Sequence, residues 1–289
     1  MKILILGVTG MLGNTVFKVL STQSTHQVWA TLRNSEMLCC FDDVEQSMLI
    51  SDVDVLDSER LQEVLTKVQP DVVINCVGLI KQLDNANDPL VVLPINALFP
   101  HQLANLCAKV GARLIHISTD CVFNGRKGLY KETDLSDAED LYGKSKYIGE
   151  LHDRPHAVTL RTSIIGHELK SNDSLVDWFL SQTGTVKGYE KAIFSGLPTV
   201  ELAKVIMDFV IPASDLQGLF HISADPIDKY RLLGLIADIY GKRVDIIADD
   251  RVHIDRSLNS DKLRQATGYQ PPSWPVLIEK MYRADKGLG

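Results

Sequence analysis

Tyr142 and Lys146 stand four residues apart in the run Leu141-Tyr142-Gly143-Lys144-Ser145-Lys146, a spacing that places both side chains on one face of a helix. Carbonyl reduction needs a hydride from a nicotinamide and a proton for the forming alkoxide. A free tyrosine has a pKa of about 10, and an adjacent ammonium favours the phenolate and lowers that value. Upstream, the apolar stretch Leu114-Ile115-His116-Ile117 ends in Ser118-Thr119-Asp120. A hydroxyl at such a strand end can hold a substrate carbonyl oxygen against both the proton donor and the hydride. Thr119 is the first choice for that hydroxyl and Ser118 the second. A Tyr-x-x-x-Lys spacing alone marks many ordinary helix faces, so its weight depends on what precedes it.

What precedes it is the run Gly7-Val8-Thr9-Gly10-Met11-Leu12-Gly13, between the apolar stretch Ile3 to Leu6 and the helical pattern Val16, Phe17, Val19 and Leu20. Glycines let a backbone turn sharply and approach a pyrophosphate, and a helix N-terminus offers unpaired N–H groups to it. The spacing is GxxGxxG rather than GxGxxG. Twenty residues after Gly13, where NAD-binding folds commonly carry an acidic residue for the ribose 2'-hydroxyl, stands Arg33, suited to a 2'-phosphate. Asp54 and Val55 follow the next strand and are placed to flank the adenine. NADPH is therefore the expected cofactor, with NADH left open.

These groups need a scaffold of alternating strands and helices. Strand candidates are Lys2-Leu6, Gln27-Thr31, Met48-Asp52, Val72-Cys76 and Arg113-Ser118, then Ala157-Arg161 and Leu219-Ile222. Helix candidates are Met11-Ser21, Ser58-Lys67, Phe99-Val110, Tyr142-Leu151 and Glu201-Val210. This alternation predicts an α/β Rossmann-type doubly wound parallel sheet with a smaller C-terminal substrate-binding lobe. Residues 1–165 form the dinucleotide-binding domain in this reading. Residues 166–289 are mainly the lobe, with some segments completing the sheet.

A formal net charge of -7 argues against a nucleic-acid partner. The five cysteines lack paired spacing, and the histidines lack metal-ligand spacing, so neither a disulfide framework nor a metal site is expected. The first apolar run is too short for a signal segment or a bilayer span. A cytoplasmic protein with no membrane partner is the expectation.

The chain resembles the extended short-chain dehydrogenase/reductases, and within them the dTDP-4-dehydrorhamnose reductase family. The resemblance rests on Gly7 to Gly13, Asp54 to Asp57, Pro70 to Cys76, Asn96, Ser118 to Gly125, Tyr142 to Lys146, Leu160 to Ser163 and Arg256 to Leu263. It implies a catalytic triad of Thr119, Tyr142 and Lys146, with Lys146 also on the nicotinamide ribose. It places Asn75, Cys76, Val77 and Asn96 along the cofactor, and Ser118, Asp120, Cys121 and Arg161 at the substrate. It implies reduction of a nucleotide-linked 4-keto-6-deoxy sugar in cell-surface polysaccharide synthesis, and leaves a homodimer open. Cys121 stands where the family usually has tyrosine, and Gly78 to Gln82 departs from its pattern. A UDP-linked 2-acetamido-4-keto sugar is therefore as good a candidate as the dTDP-4-keto sugar. The rival readings are a nucleotide-sugar epimerase or dehydratase, disfavoured because no glutamate follows Asp120, and a cofactor-binding regulatory subunit like that of methionine adenosyltransferase.

Overall fold

Ile3 and Ile5 of the first strand face one hydrophobic core and Leu4 and Leu6 the other, as a strand covered on both sides requires. The computed structural model describes residues 1–81, 87–170 and 174–288. Its first part runs β1 (Lys2–Leu6), α1 (Met11–Gln23), β2 (Gln27–Thr31), α2 (Asp43–Ser47), β3 (Leu49–Ile50), α3 (Ser58–Val68), β4 (Val72–Asn75), α4 (Pro89–Leu93), α5 (Phe99–Val110), β5 (Arg113–Thr119), α6 (Leu141–Ile148) and β6 (Ala157–Thr162). It continues through β7 (Ile164–Ile165), α7 (Leu175–Ser181), β8 (Thr185–Tyr189), β9 (Ala192–Phe194), β10 (Leu197–Pro198), α8 (Thr199–Val205) and β11 (Gly218–His221). The last part is β12 (Ile227–Asp228), α9 (Lys229–Tyr240), β13 (Asp245–Asp249), β14 (Ile254–Asp255), α10 (Asp261–Thr267) and α11 (Trp274–Asp285).

The central sheet has seven strands in the order β3-β2-β1-β4-β5-β6-β11, all parallel. From β1 the chain winds outward through β2 and β3, then returns to β4 and winds the other way. The loops after β1 and β4 therefore part, and the crevice between them is where doubly wound sheets bind ligands. This is the Rossmann-type fold expected from the alternation. The small sheets β12-β9-β14, β13-β8 and β10-β7 are built from the chain after β6, on either side in sequence of β11, which returns to the central sheet.

Each core side chain such as Phe17, Leu103 or Ile115, fully buried here, contributes about 1.5–3 kcal/mol through removal from water. α3 starts on the Asp57 side chain, which accepts from the Arg60 N–H. α5 stops at Gly111, in the left-handed region at φ 73°. Most element ends fall within two residues of expectation, and three segments differ further. β3 spans two residues rather than Met48–Asp52, because Asp52 turns to φ 58° and leaves the sheet edge. α6 starts one residue early on the Asp140 cap and ends at Ile148. The Glu201–Val210 segment passes from α-helix to a π-helical turn at Ile206–Val210.

Candidate active site

At the end of β1, Gly7 adopts φ 88°, and a Cβ there would sit 2.9 Å from Val77 Cγ2. A Cβ on Gly13 would sit 2.0 Å from the Gly7 carbonyl oxygen, so α1 can start this close under the turn only with glycine. No side chain caps α1 at Gly10, and no acidic residue lies in its first turn. The N–H groups that open the helix, from Met11 and Leu12 onward, thus have no side-chain cap among the described residues and can face an anion, with Thr9 in the same turn. Arg33, two residues after β2, is exposed, as is Asp54 after β3. Asp54 Oδ1 accepts from the Leu56 N–H at 3.0 Å, and Val55 beside it is half-buried.

Asn75 and Asn96 support the crevice wall rather than facing a ligand. Asn75 is fully buried; its Oδ1 accepts from the Val77 N–H at 3.0 Å and its Nδ2 pairs with His116 Nδ1 at 3.1 Å. Asn96 Oδ1 accepts from the Leu79 N–H, and its Nδ2 donates to the Leu79 carbonyl and to Ser145 Oγ. The two asparagines shape the loop that carries Cys76 and Val77 and tie it to α6. Burial pushes the Cys76 thiol up to about 12.

The structure brings Thr119, Tyr142 and Lys146 together where β5 meets α6. The Asp140 side chain accepts from the Gly143 N–H at 2.7 Å, which fixes the helix start and hence the tyrosine. Tyr142 lies against the Thr119 hydroxyl. Thr119 Oγ1 donates to Asp120 Oδ1 at 3.2 Å and accepts from the Cys121 N–H at 3.1 Å. Lys146 is 5% exposed, and its Nζ donates to the Ile117 carbonyl at 2.8 Å. Burial lowers the Lys146 ammonium to about 8, opposed by Glu150 and Cys76. Tyr142 departs from the expected lowering, because burial dominates and pushes its phenol above the ordinary value. The phenol is thus held as the neutral acid, the form that can give a proton to an alkoxide. Burial also raises the Asp120 carboxyl, and it pushes the Cys121 thiol up to about 12.

Arg161 and Ser118, expected at the substrate, serve a buried carboxylate instead. Arg161 is 1% exposed; its Nε and Nη2 donate to the two oxygens of Glu150, each at 2.7 Å. Its Nη1 lies 3.3 Å from His221 Nε2, and its guanidinium stacks over Phe123. Ser118 Oγ donates to Glu150 Oε1 at 2.7 Å. Alternation along β5 explains the split, since Ser118 and Thr119 point to opposite faces. Removing one partner of such a buried pair costs about 3–5 kcal/mol, because the other is left charged and unpaired.

Three cations around the strand end were not singled out from sequence. Lys81 forms an ion pair with Asp140 and lies over the Tyr142 ring at 5.9 Å. Arg256 donates through Nε to the Phe123 carbonyl at 2.7 Å and approaches Cys121 Sγ at 3.8 Å. Lys229, at the start of α9, is lowered by burial and feels Asp120 and Cys121. Arg256 opens one of the runs that carry the family resemblance, which was the available signal; Lys229 had none. Gln82 lies outside the described residues.

The model of the RmlD substrate binding domain family matches residues 1–285. Methionine adenosyltransferase 2 subunit beta of Mus musculus is 26% identical over 311 residues, covering 98% of this chain and 90% of its own. The probable low-salt glycan biosynthesis reductase Agl14 of Haloferax volcanii is 27% identical, covering 90% of this chain and 85% of its own. Among solved structures, a dTDP-4-dehydrorhamnose reductase of Clostridium acetobutylicum matches with a TM-score of 0.79 at 22% identity, covering 99% of this chain and 100% of its own. That of Bacillus anthracis, in complex with NADP, matches at 0.78 and 22%, covering 98% of both.

Proposed function

The chain belongs to the RmlD substrate binding domain family, and on that premise we propose that it is an NADPH-dependent reductase of a nucleotide-linked 4-keto-6-deoxy sugar, acting in the cytoplasm on precursors of cell-surface polysaccharide. The observation that carries this reading is the convergence of Thr119, Tyr142 and Lys146 at the end of β5. The Gly7–Gly13 turn, which a Cβ at either end would fill, fits a dinucleotide pyrophosphate. That cofactor supplies the hydride when bound. Arg33 would take a 2'-phosphate, Asp54 and Val55 the adenine, Cys76 and Val77 the crevice wall, and Lys146 the nicotinamide ribose.

The chain's own residues do the rest. Thr119 orients the substrate oxygen, Tyr142 delivers a proton to it as negative charge develops, and Lys146 stabilises the phenolate left behind. Asp120 and Cys121 border the sugar, with the UDP-linked 2-acetamido-4-keto sugar as the alternative substrate. An epimerase or dehydratase is disfavoured because the residue after Asp120 is Cys121, whose thiol stays protonated up to about 12.

A second reading, a regulatory partner of another enzyme, is favoured by one observation, the 26% identity to methionine adenosyltransferase 2 subunit beta over 98% of the chain. Incubating the purified protein with NADPH and each keto-sugar, and following loss of NADPH absorbance with product mass, separates the two. Reduced sugar is the expected result. No turnover of either sugar would leave the regulatory reading standing.

A further inference from the structure

Lys81 stands on the loop that leaves β4, and its Nζ meets two residues at the start of α6. It forms an ion pair with Asp140 Oδ2, and it lies 5.9 Å from the centroid of the Tyr142 ring. The other oxygen of the same carboxylate, Asp140 Oδ1, accepts from the Gly143 N–H at 2.7 Å and so starts the helix. One carboxylate thus caps the helix that carries Tyr142 and fixes a cation over the face of the tyrosine ring. The loop itself is held without this pair, because Leu79, two residues before Lys81, is tied through Asn96 to Ser145 on α6. Both partners are more than a third exposed, at 37% and 39%, and an ion pair in that setting adds little to stability.

What the pair changes is the charge that Tyr142 meets when it gives up its proton. Asp120 and Cys121 face Tyr142 from the end of β5, Asp140 from the start of its own helix, and Lys146 follows one turn along the same face. Burial, then Cys121, Asp120 and Asp140, keep the phenol above its ordinary value. A neutral phenol tolerates a neighbouring carboxylate, whereas a phenolate is repelled by it. With Lys81 in place, Asp140 and Lys81 together carry no net charge, and the positive end of the pair is the one over the ring. A cation on the face of an aromatic ring is attracted by its π electrons, and the attraction grows as the ring takes up the negative charge of a phenolate. An interaction that strengthens along the reaction lowers its barrier.

We propose that Lys81 is a positioning residue for Tyr142, a second cation beside Lys146 that neutralises Asp140 and holds positive charge over the ring on which negative charge develops. The inference rests on the reading of Tyr142 as the proton donor, and deepens it. It also gives a use to one residue of the Gly78 to Gln82 stretch, where the chain departs from the reductase pattern. Without Lys81, the Asp140 carboxylate stands uncompensated two residues from Tyr142, and the phenolate is disfavoured.

The test reads the phenol directly and needs no substrate. Tyr142 is replaced by 3,5-difluorotyrosine, whose phenol ionises at lower pH than that of tyrosine, and its 19F resonance is followed against pH. Lys81→Met should move that midpoint up by roughly one unit, the size left to a half-exposed charge pair after screening by water. Lys81→Arg keeps the charge and should hold the midpoint near its starting position. Lys81→Met/Asp140→Asn should bring it most of the way back, because the lone carboxylate is gone while asparagine still caps the helix. With tyrosine at position 142, kcat should follow the same order. It should fall about three- to tenfold in Lys81→Met, as partial proton transfer in the transition state allows, and recover in the other two variants. A midpoint that stays put in Lys81→Met, or that moves as far in the double variant as in the single one, overturns the proposal and leaves Lys81 in a surface ion pair. A moved midpoint in a protein that reduces no nucleotide keto-sugar would uphold the hold of Lys81 on Tyr142 and sink the proposed reaction instead.

Discussion

The Lys146 Nζ donates to the Ile117 carbonyl at 2.8 Å, so this lysine is anchored to the same strand that ends in Thr119. The site is held by main chain on one side and by the Asp140-capped helix on the other. With the ammonium lowered to about 8 by burial, its charge is present below that value and lost above it. kcat/KM is expected to fall on the alkaline side with an apparent pKa near 8, before free tyrosine titrates. A pH profile with no alkaline loss up to about 10, the ordinary tyrosine value, would exclude Lys146 as the group.

Tyr142→Phe removes one oxygen from a side chain whose ring already packs under Lys81. Folding and NADPH affinity should persist, while turnover falls on the order of a hundred- to ten-thousand-fold, the usual contribution of a positioned acid. Lys146→Met should lose turnover and bind NADPH more weakly as well. Steady-state rates and fluorescence titration of cofactor decide both, and near wild-type turnover in Tyr142→Phe sends the search for the acid elsewhere.

Arg33 is exposed beside β2 and carries the cofactor preference in the proposed reading. Arg33→Ala should weaken NADPH binding and leave NADH nearly unchanged, since only one of them presents a phosphate there. Titration of both dinucleotides is the check. Equal wild-type affinities, unmoved by the substitution, would remove Arg33 from the site.

The parts of the site legible in the sequence are those written in short runs. Gly7 to Gly13 states its own backbone demands, and Tyr142 and Lys146 share a helix face by spacing alone. Glu150 was not legible, although it lies four residues past Lys146, because its meaning depends on residues 118, 161 and 221, which only the parallel register of β5, β6 and β11 brings together. Arg161 was read toward the substrate for the same reason, since its strand was right and its face was not. Lys229 and Arg256 come from segments of weak periodicity, where the fold, rather than the local pattern, decides which side chain reaches the crevice.

Cys121 lies 3.8 Å from the Arg256 guanidinium, so a larger side chain there would have to displace that arginine or project into the proposed sugar site. Cys121→Tyr, which restores the family's usual residue, should raise turnover of the dTDP-4-keto sugar relative to a bulkier UDP-2-acetamido-4-keto sugar. Competing the two substrates in one reaction gives the ratio directly. An unchanged ratio would take Cys121 out of the specificity pocket.

His221 links the buried ion pair to acid stability. It is fully buried; its Nδ1 pairs with the Tyr130 carbonyl at 3.0 Å and its Nε2 with Arg161 Nη1 at 3.3 Å. A carbonyl can only accept and a guanidinium can only donate, so the ring is neutral with its proton on Nδ1. Burial, aided by Arg161, lowers its pKa from the ordinary 6.5 to about 4. The unfolded chain then binds this proton before the folded one does, and stability that is fully present above 6.5 is lost as pH falls toward 4. At about 1.4 kcal/mol per unit, the loss from this one group reaches about 3 kcal/mol. Thermal unfolding of the wild type should therefore weaken from pH 6.5 downward, ahead of most carboxylates. His221→Gln can donate to Tyr130 and accept from Arg161 without titrating, so its melting temperature should fall more shallowly across the same window. If the two proteins lose stability in parallel between pH 6.5 and 4, the acid sensitivity belongs to another group, and buried His116 is the next to replace.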